Sequence, residues 1–332
     1  MSEDRKSKSS SSKQLDGSNV LVTGGAGFIG SSLVRQLEKK NCNTIVFDNL
    51  IAGTEDNLKR TKSSLIQGDI RNRELLRETM KIYKIDYCFH LAAEPYIPKG
   101  YQQPEKMFQT NTIGTLRVLK ACKTAKVKKT IYYSTSEVYG TAQYLPMDEK
   151  HPTQPHSIYA LSKLAGDRMC YILWKEKRIP VIVVRQFNCF GPREAQPYII
   201  PEIISQFTRG NELHLGNIHA RRDFTYVDDA TEVATKLIGI PGYEGGIINI
   251  GHGKNWSIKE IATEIASIMG KKDWKIIVEK KKLRPFDVDE LLCDNTLFNR
   301  LTRGMNFRSF RKGLQLTIDW YNQHGKKWSW EQ

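Results

Sequence analysis

The sequence predicts an α/β fold in which a doubly wound parallel sheet is followed by a smaller C-terminal α+β lobe. Up to residue 192, short runs rich in β-branched residues alternate with amphipathic stretches. Strands that alternate with helices are typical of parallel βαβ units. The short runs are almost continuously apolar, as expected for strands buried on both faces of a sheet. After residue 192 the pattern changes to loops, isolated helices and short strands, which predicts the second lobe.

The individual elements follow from these patterns. In the sheet domain we predict six strands, over 20–22, 44–47, 64–67, 86–90, 130–133 and 181–184. Four helices are predicted between them, over 28–39, 73–83, 107–124 and 158–176. In the second lobe we predict helices over 199–209, 228–238, 257–269 and 313–324, and strands over 212–215, 246–250 and 275–278.

These elements divide the chain into three segments. Residues 1–18 are predicted to be a disordered extension, because the start of the chain is rich in Ser and Lys and has no apolar run. Residues 19–192 form the sheet domain, to which some later segments return. Residues 193–332 form mainly the second lobe.

The composition of the 332 residues is that of a globular protein, with 39% hydrophobic and 26% charged residues. It excludes collagen-like, coiled-coil and wholly disordered classes. The apolar runs have the length of strands, and the first residues lack the apolar segment of a signal peptide, so we expect a soluble protein without membrane association. The net charge of +15 is unusual. It leaves open a nucleic acid, a membrane surface or a small anionic ligand as partner.

The cysteines and histidines indicate a cytoplasmic protein without a metal. The six cysteines contain no C-x-x-C pair, which argues against a zinc site or a disulfide framework and fits a reducing compartment. The seven histidines form no H-x-x-x-H or H-E-x-x-H pattern. We therefore expect no metal.

A glycine-rich turn follows the first predicted strand and precedes the first helix. Gly24, Gly27 and Gly30 form a G-x-x-G-x-x-G pattern with Phe28 and Ile29 at the start of the helix. Such a turn lets a diphosphate approach the backbone and places it at the positive end of the helix dipole. An ordinary turn is the alternative, but the order of strand, turn and helix favours a Rossmann-type dinucleotide-binding sheet.

Acidic and small residues follow the next strands. Asp48, at the end of the second strand, can accept hydrogen bonds from ribose hydroxyls and would repel a 2′-phosphate, which favours NAD over NADP. A strand-end cap is the alternative role. Asp69, after the third strand, is a candidate for the adenine. Ala92 and Ala93, after the fourth strand, are small enough for a dinucleotide to cross the edge of the sheet.

Tyr159 and Lys163 form a candidate catalytic pair. They are four residues apart on a predicted helix and so share one face. A phenol has a pKa of about 10, and a neighbouring ammonium stabilises its phenolate, so Tyr159 could take a proton from a hydroxyl group. A surface helix pair would show the same spacing. The glycine turn and the Ser/Thr-rich end of the fifth strand, Ser134 and Thr135, favour the catalytic interpretation.

In combination these motifs resemble an extended short-chain dehydrogenase/reductase of the nucleotide-sugar epimerase/dehydratase family, most like its 4,6-dehydratases. The resemblance runs from about residue 19 to beyond residue 294. The motifs that carry it are the glycine turn, Asp48, Gly68-Asp69, His90-Leu91-Ala92-Ala93, Asn111, Ser134-Thr135, Val138-Tyr139-Gly140, Tyr159 with Lys163, residues 185–192 (RQFNCFGP) and Arg222-Asp223.

The resemblance implies roles for individual residues. It implies Thr135, Tyr159 and Lys163 as the groups that oxidise sugar C4, with Ser136 and Glu137 beside them. It implies that the substrate is a nucleotide sugar, bound by Glu94, Asn188, Arg222 and Arg284. The cofactor is then NAD, bound by Gly24, Gly27, Phe28, Ile29, Gly30, Asp48, Asn49, Asp69, Ile70, Leu91, Ala92, Ala93, Asn111, Ser134, Tyr159 and Lys163. A homodimer, formed by helices 107–124 and 158–176, is also implied.

Glu137 bears on which reaction of the family is expected. A 4-epimerase needs no extra base beside Thr135, whereas a 4,6-dehydratase must remove the proton at C5, and Glu137 is suitably placed to do so. Dehydratases of the dTDP-glucose type have an Asp where this chain has Ser136, so the group that protonates the leaving hydroxyl is open. GDP-mannose dehydratases and UDP-glucuronate decarboxylases resemble the Thr-Ser-Glu pattern too.

We therefore expect a 4,6-dehydratase, with UDP-glucuronate decarboxylase and UDP-sugar 4-epimerase as alternatives. Residues 140–152 and 284–295 resemble dehydratases that act on nucleotide-linked N-acetylglucosamine. A non-catalytic nucleic-acid-binding protein is a remote alternative suggested by the positive charge. The chain has no RNP, KH or helix-turn-helix signature, so we expect no nucleic acid as partner.

Overall fold

The centre of the molecule is a seven-stranded parallel sheet, seen in a computed structural model that describes residues 14–194, 196–283 and 288–324. Its strands are β1 (Asn19–Thr23), β2 (Asn43–Asp48), β3 (Ser64–Gln67), β4 (Tyr87–His90), β5 (Lys129–Thr135), β6 (Val181–Gln186) and β10 (Ile247–Ile250). Their order across the sheet is β10-β6-β5-β4-β1-β2-β3, and each neighbouring pair is parallel. The predicted doubly wound α/β fold is confirmed.

Helices cover both faces of this sheet. In the sheet domain they are α1 (Phe28–Glu38), α2 (Arg73–Ile82), α3 (Ile97–Gln102), α4 (Pro104–Phe108), α5 (Thr115–Thr124) and α6 (Ile158–Lys177). Successive residues of β1 point to opposite faces, as strand geometry requires. Val20 and Val22 pack with Leu33 of α1, while Leu21 packs with Leu76 of α2. The sheet is therefore buried on both sides.

The second lobe has its own core. It contains β7 (Asn188–Phe190), β8 (Glu212–Leu215), β9 (Arg221–Tyr226), β11 (Asn255–Ser257) and β12 (Lys275–Val278), paired as β11-β9-β7 and β12-β8. Its helices are α7 (Ile199–Arg209), α9 (Ile258–Ile268) and α11 (Phe310–His324). Helices α8 (Val227–Ile238) and α10 (Thr296–Thr302) contribute to the core of the sheet domain instead, through Ala230, Val233 and Phe298. Later segments thus return to the first domain.

The beginning of the chain differs from the prediction. Leu15 is fully buried in the core of the sheet domain, and the Cys42 thiol donates a hydrogen bond to its carbonyl at 3.3 Å. The Ser18 hydroxyl donates to the Gln14 carbonyl at 3.1 Å. The predicted disordered extension is therefore wrong for residues 14–18, because Leu15 enters the core and hydrogen bonds tie the segment to the sheet domain. Residues 1–13 lie outside the described residues.

The predicted helix 107–124 is interrupted. Between α4 and α5 the segment Gln109–Gly114 is a turn of π-helix. Such a turn inserts an extra residue and is often found at functional sites. It places Asn111, which is fully buried, between the end of β4 and α6.

Candidate active site

A cleft of about 890 Å³ lies at the carboxyl ends of the sheet strands, where the second lobe faces them. Ligands of doubly wound sheets bind at this edge, where the strand order reverses. Here the reversal lies between β1 and β4. The cleft is lined by these predicted site residues: Gly24, Gly27, Phe28, Ile29, Gly30, Asp48, Asn49, Ile70, Leu91, Ala92, Ala93, Ser134, Thr135, Ser136, Glu137, Tyr159, Lys163, Asn188 and Arg222.

Two glycines of the turn are required by the packing of the chain. Gly24 has φ of +72°, and a Cβ there would lie 2.7 Å from the Ala92 nitrogen. A Cβ at Gly30 would collide with the Gly24 carbonyl. At Gly27 the nearest atom to a Cβ would be 3.3 Å away, so packing alone demands glycine less strongly there. An open backbone at the N-terminus of α1 suits a ligand diphosphate.

Asp48 is held by two backbone groups. Ala26 N–H donates to Oδ2 at 2.9 Å, and Leu50 N–H donates to Oδ1 at 2.8 Å. The side chain is 7% exposed, and burial raises the pKa of the carboxyl while both hydrogen bonds act in the opposite direction. Each oxygen still has acceptor capacity on the cleft side, as the predicted ribose contact requires.

The Asp69 carboxylate is hydrogen-bonded to two neighbouring side chains. Arg71 donates to it twice, at 2.9 Å from Nε and 2.7 Å from Nη2, and Asn49 donates at 3.3 Å. The Arg71 hydrogen bonds lower the pKa of Asp69 to about 2. Asp69 does not line the cleft, whereas its neighbour Ile70 does. This ion pair orients Asn49 at the cleft.

Asn111 and Glu94 also lie behind the wall of the cleft. Glu94 N–H donates to Asn111 Oδ1 at 2.7 Å, and Asn111 Nδ2 donates to the Glu94 carbonyl at 3.1 Å and to Ser162 Oγ at 2.9 Å. The Glu94 carboxylate pairs with Lys99 at 3.1 Å. Asn111 thus joins the loop after β4 to α6, and it acts on the cleft through these elements rather than by direct contact.

A series of hydrogen bonds, each with one possible donor, connects Thr23 at the end of β1 to the π-helical turn. Thr115 Oγ1 donates to the Asn111 carbonyl at 2.6 Å, so its oxygen accepts from His90 Nε2 at 2.9 Å. His90 Nδ1 then accepts from the Thr23 hydroxyl at 2.7 Å, and that hydroxyl accepts from Ala92 N–H at 3.3 Å. In this arrangement His90 is the neutral tautomer that carries its proton on Nε2 and accepts at Nδ1.

The predicted catalytic side chains meet at the bottom of the cleft. Tyr159 and Thr135 both line the cleft, and Thr135 Oγ1 accepts from Glu137 N–H at 3.2 Å. Burial raises the pKa of Tyr159 above its ordinary value, the Thr135 side chain acts against that rise, and the charges of Glu137 and Asp167 add to it. Lys163 is 3% exposed, with its Nζ 4.4 Å from the ring centre of Tyr132.

Burial decides the protonation of the two basic groups near Tyr159. Burial lowers the pKa of Lys163 to about 8, so it is mostly protonated at neutral pH but close to titration. Burial, together with the charge of Lys163, lowers the pKa of His90 to about 3, so this imidazole is neutral. The lysine is therefore the titratable cation next to the phenol.

The second lobe contributes two predicted substrate-binding residues. Asn188, on β7, lines the cleft, and its buried Oδ1 accepts no hydrogen bond from the part of the chain that the structure describes. Arg222, on β9, is 9% exposed and donates to the Arg221 carbonyl at 2.9 Å. Arg284 lies outside the described residues. Lys281 and Lys282 line the same end of the cleft and supply positive charge there.

Glu194 is a cleft residue that the sequence reasoning missed. It is 4% exposed, and its Oε2 has no hydrogen-bond partner among residues 14–194, 196–283 and 288–324. Burial raises the pKa of this carboxyl well above its ordinary value. Its position two residues after the Gly191-Pro192 end of a predicted motif could have indicated a place near the cleft. A glutamate is usually exposed, however, so its residue type predicted a surface position.

No helix of the described residues combines the length and apolar character needed to cross a bilayer. No three or more His, Cys, Asp or Glu side chains converge there as metal ligands would.

The family model for GDP-mannose 4,6 dehydratase matches residues 21–312. The chain belongs to this family of NAD-dependent nucleotide-sugar dehydratases, epimerases and decarboxylases, within the extended short-chain dehydrogenases/reductases. The predicted family is thereby confirmed.

Individual relatives represent all three reactions. A UDP-N-acetyl-alpha-D-glucosaminuronate decarboxylase from Bacillus cytotoxicus is 31% identical over 91% of this chain and 97% of its own length. A UDP-N-acetylglucosamine 4-epimerase from Methanobrevibacter ruminantium is 30% identical, with a TM-score of 0.85 over 93% of this chain and all of its own. A dTDP-glucose 4,6-dehydratase from Streptomyces venezuelae, solved with NAD bound, is 28% identical, with a TM-score of 0.84 over 92% and 97% of the two chains.

Proposed function

We propose that this protein is an NAD-dependent nucleotide-sugar 4,6-dehydratase that acts on a nucleotide-linked hexose or N-acetylhexosamine. The observation that carries the proposal is the placement of Glu137. Its side chain lines the cleft beside Thr135, and its charge acts on Tyr159. A carboxylate at this position supplies the second base that elimination requires and that a simple 4-epimerase does not need.

The residues at the sheet edge fit NAD. The glycine turn and the N-terminus of α1 suit the diphosphate, and the Asp48 carboxylate, fixed by Ala26 and Leu50, suits ribose hydroxyls rather than a 2′-phosphate. Bound NAD would supply the redox chemistry, accepting electrons from C4 and returning them at C6. Arg222 and Asn188 would hold the diphosphate of the sugar nucleotide.

The side chains of the cleft would then divide the proton transfers. Tyr159, with Lys163 charged beside it on the same helix and Thr135 acting to lower its pKa, accepts the proton of the C4 hydroxyl. Glu137 accepts the proton at C5, which the new C4 carbonyl acidifies. The same carboxyl then gives its proton to the C6 hydroxyl, which leaves as water. Ser136 is too weak an acid for that step, so Glu137 serves twice. As hydride returns to C6, C5 takes up one proton, and the proton that Tyr159 took from the C4 hydroxyl balances it.

The test is turnover of a panel of nucleotide sugars, read by mass spectrometry. Loss of one water molecule supports the proposal, and it should occur with a UDP-, GDP- or dTDP-linked hexose or N-acetylhexosamine. Loss of carbon dioxide from a nucleotide-linked uronic acid would mean a decarboxylase. An isomer of unchanged mass would mean a 4-epimerase. Either of these results would overturn the dehydratase proposal.

The Glu137→Gln variant tests the residue that carries the proposal. Dehydration should fall by about 100-fold or more, the usual contribution of a general acid–base group. Glu105→Gln, an exposed glutamate of α4, is the matched control and should leave turnover unchanged. Full activity of Glu137→Gln would show that another group removes the C5 proton.

The predicted homodimer has support on the surface of α6. Leu161, Tyr171 and Ile172 of this helix are 44%, 41% and 48% exposed, and Ile113 of the adjacent π-helical turn is 43% exposed. Large apolar side chains grouped on one face mark protein–protein contacts. We propose that this face pairs with a second copy. The cytoplasmic location stays a prediction.

A further inference from the structure

Helix α6 carries a third buried side chain in register with the catalytic pair. Tyr159, Lys163 and Asp167 follow one another at intervals of four residues, so they share one face of the helix. Lys163 is 3% exposed and Asp167 is 1% exposed. Asp167 therefore follows Lys163 by one helical turn, and it is not among the residues that line the cleft.

Arg185 fixes this carboxylate from the neighbouring strand β6. Its Nε donates to Asp167 Oδ2 at 2.9 Å, and the two side chains are 3% and 0% exposed. The guanidinium carbon lies 4.8 Å from the ring centre of Tyr139, whose hydroxyl donates to Asn249 Oδ1 at 2.7 Å. A buried ion pair is costly to form, and it needs such additional partners.

Several other groups face Lys163, and none of them replaces Asp167 as the anion. His90 of β4 is neutral, and Tyr132 of β5 offers the face of its ring. Cys170 of the same helix is fully buried, and burial raises the pKa of its thiol well above the ordinary value. The remaining titratable groups around the pair are Tyr139, Tyr159, Glu137 and Arg185.

We propose that Asp167, held in place by Arg185, is a positioning residue that keeps Lys163 protonated beside Tyr159. Asp167 touches neither sugar nor cofactor, and it acts through the lysine. Burial works against the charge of Lys163, and Asp167 is the main electrostatic contribution in its favour. Burial raises the pKa of Asp167, and Arg185, which stays charged at all relevant pH values, acts against that rise and favours the ionised carboxylate.

The proposal rests on the proposed function only through the oxidation at C4, which dehydratases, decarboxylases and epimerases of this family share. A direct test needs neither substrate nor cofactor. The protein is labelled with ¹³C at lysine Cε, and the Lys163 signal is assigned by its loss in Lys163→Met. Its chemical shift is then titrated in the wild type and in Asp167→Asn. The pKa of Lys163 should fall by about one pH unit or more in the variant, a tenfold change in acid dissociation.

A second variant tests the contribution of Arg185. Arg185→Gln removes the guanidinium that favours the ionised form of Asp167 and fixes its position, so the pKa of Lys163 should fall, as in Asp167→Asn. Tyr139→Phe removes only the hydrogen bond to Asn249 and should leave the pKa of Lys163 where it is. An unchanged titration in both charge variants would overturn the proposal.

The pH profile of turnover provides the kinetic test. In the wild type, kcat should fall above about pH 8, where Lys163 loses its proton. In Asp167→Asn this fall should begin at lower pH, whereas KM at pH 6.5 should be unchanged because the substrate contacts are intact. An unshifted profile would contradict the inference even if the dehydratase reaction is established. Absence of turnover with every sugar would contradict the proposed function while leaving the titration result valid.

Discussion

At the scale of single residues, Glu194 stands out because it is a buried acid that faces the cleft. Its backbone carbonyl accepts from the Tyr321 hydroxyl at 2.6 Å, which ties the segment to α11. One carboxyl oxygen is unpartnered among the described residues, so removing the proton would leave a poorly compensated buried charge. Burial accordingly raises the pKa of Glu194 well above that of an exposed glutamate.

The sign of the resulting pH dependence can be predicted. Between the unfolded pKa and the higher folded pKa, the unfolded chain has lost the Glu194 proton while the native protein still holds it. Stability then falls as pH rises, by about 1.4 kcal/mol per pH unit from this one group. Glu194→Gln should remove that slope, so its free energy of unfolding should exceed that of the wild type by more at pH 7 than at pH 5.

Urea unfolding at both pH values measures this difference. Glu105→Gln serves as the exposed control and should show no pH-dependent gain. A Glu194→Gln protein that is less stable than the wild type at pH 7 would mean that the carboxylate is ionised and compensated, contrary to this account.

How far single residues can be predicted from the sequence depends on where their partners lie. The Tyr159–Lys163 spacing is local to one helix, so its geometry follows from helical periodicity. The ion pair between Asp69 and Arg71 was not predicted, because the sequence does not show which side chain binds the carboxylate. Asn111 bonds to groups 17 and 51 residues away, which only the folded chain brings together.

At the scale of elements, β9 depends on a single carboxylate. Asp223 is fully buried and accepts three backbone hydrogen bonds, from His252 at 2.7 Å, Gly253 at 2.8 Å and Cys293 at 3.1 Å. It therefore ties two connecting segments to the strand that carries Arg222. Burial raises the pKa of Asp223 to about 7, so the carboxylate form is the main one only at higher pH.

Asp223→Asn should destabilise the protein at pH 8. An amide has one acceptor oxygen, and its NH₂ group would face a backbone donor, so at least one buried N–H loses its partner at a cost of about 1–3 kcal/mol. Urea unfolding at pH 8 measures the loss. Asp56→Asn, which removes an exposed ion pair with Lys59, should have little effect. Equal stability of both variants would show that the three hydrogen bonds make no net contribution to the free energy of unfolding.

The same strand explains why part of the second lobe was not predicted. The segment Arg221–Tyr226 begins with three charged residues, so its composition does not suggest a buried strand. It becomes a strand because β7 and β11 pair with it and because Asp223 finds three donors. By contrast, β3, β8, β12 and α7 have the predicted bounds, since their apolar patterns are local.

At the scale of the whole molecule, the cleft brings together two parts with separate cores. The sheet domain supplies the glycine turn, Asp48 and the Tyr159 cluster, and the second lobe supplies Asn188 and Arg222. The net charge of +15 has a partial explanation in the basic residues at the second-lobe end of this cleft. Positive charge there raises the local concentration of anionic ligands such as sugar nucleotides.

The exposed apolar face of α6 leads to a prediction about assembly. If this face pairs with a second copy, Ile172→Glu would bury an unpaired charge in the interface, and the dimer dissociation constant should rise about tenfold or more. Light scattering coupled to size exclusion, over a dilution series, measures this change. Ile82→Glu is the matched control, because Ile82 of α2 is 70% exposed and lies on another surface. A wild-type monomer, or an Ile172→Glu protein as dimeric as the control, would show that the four apolar side chains do not form the interface.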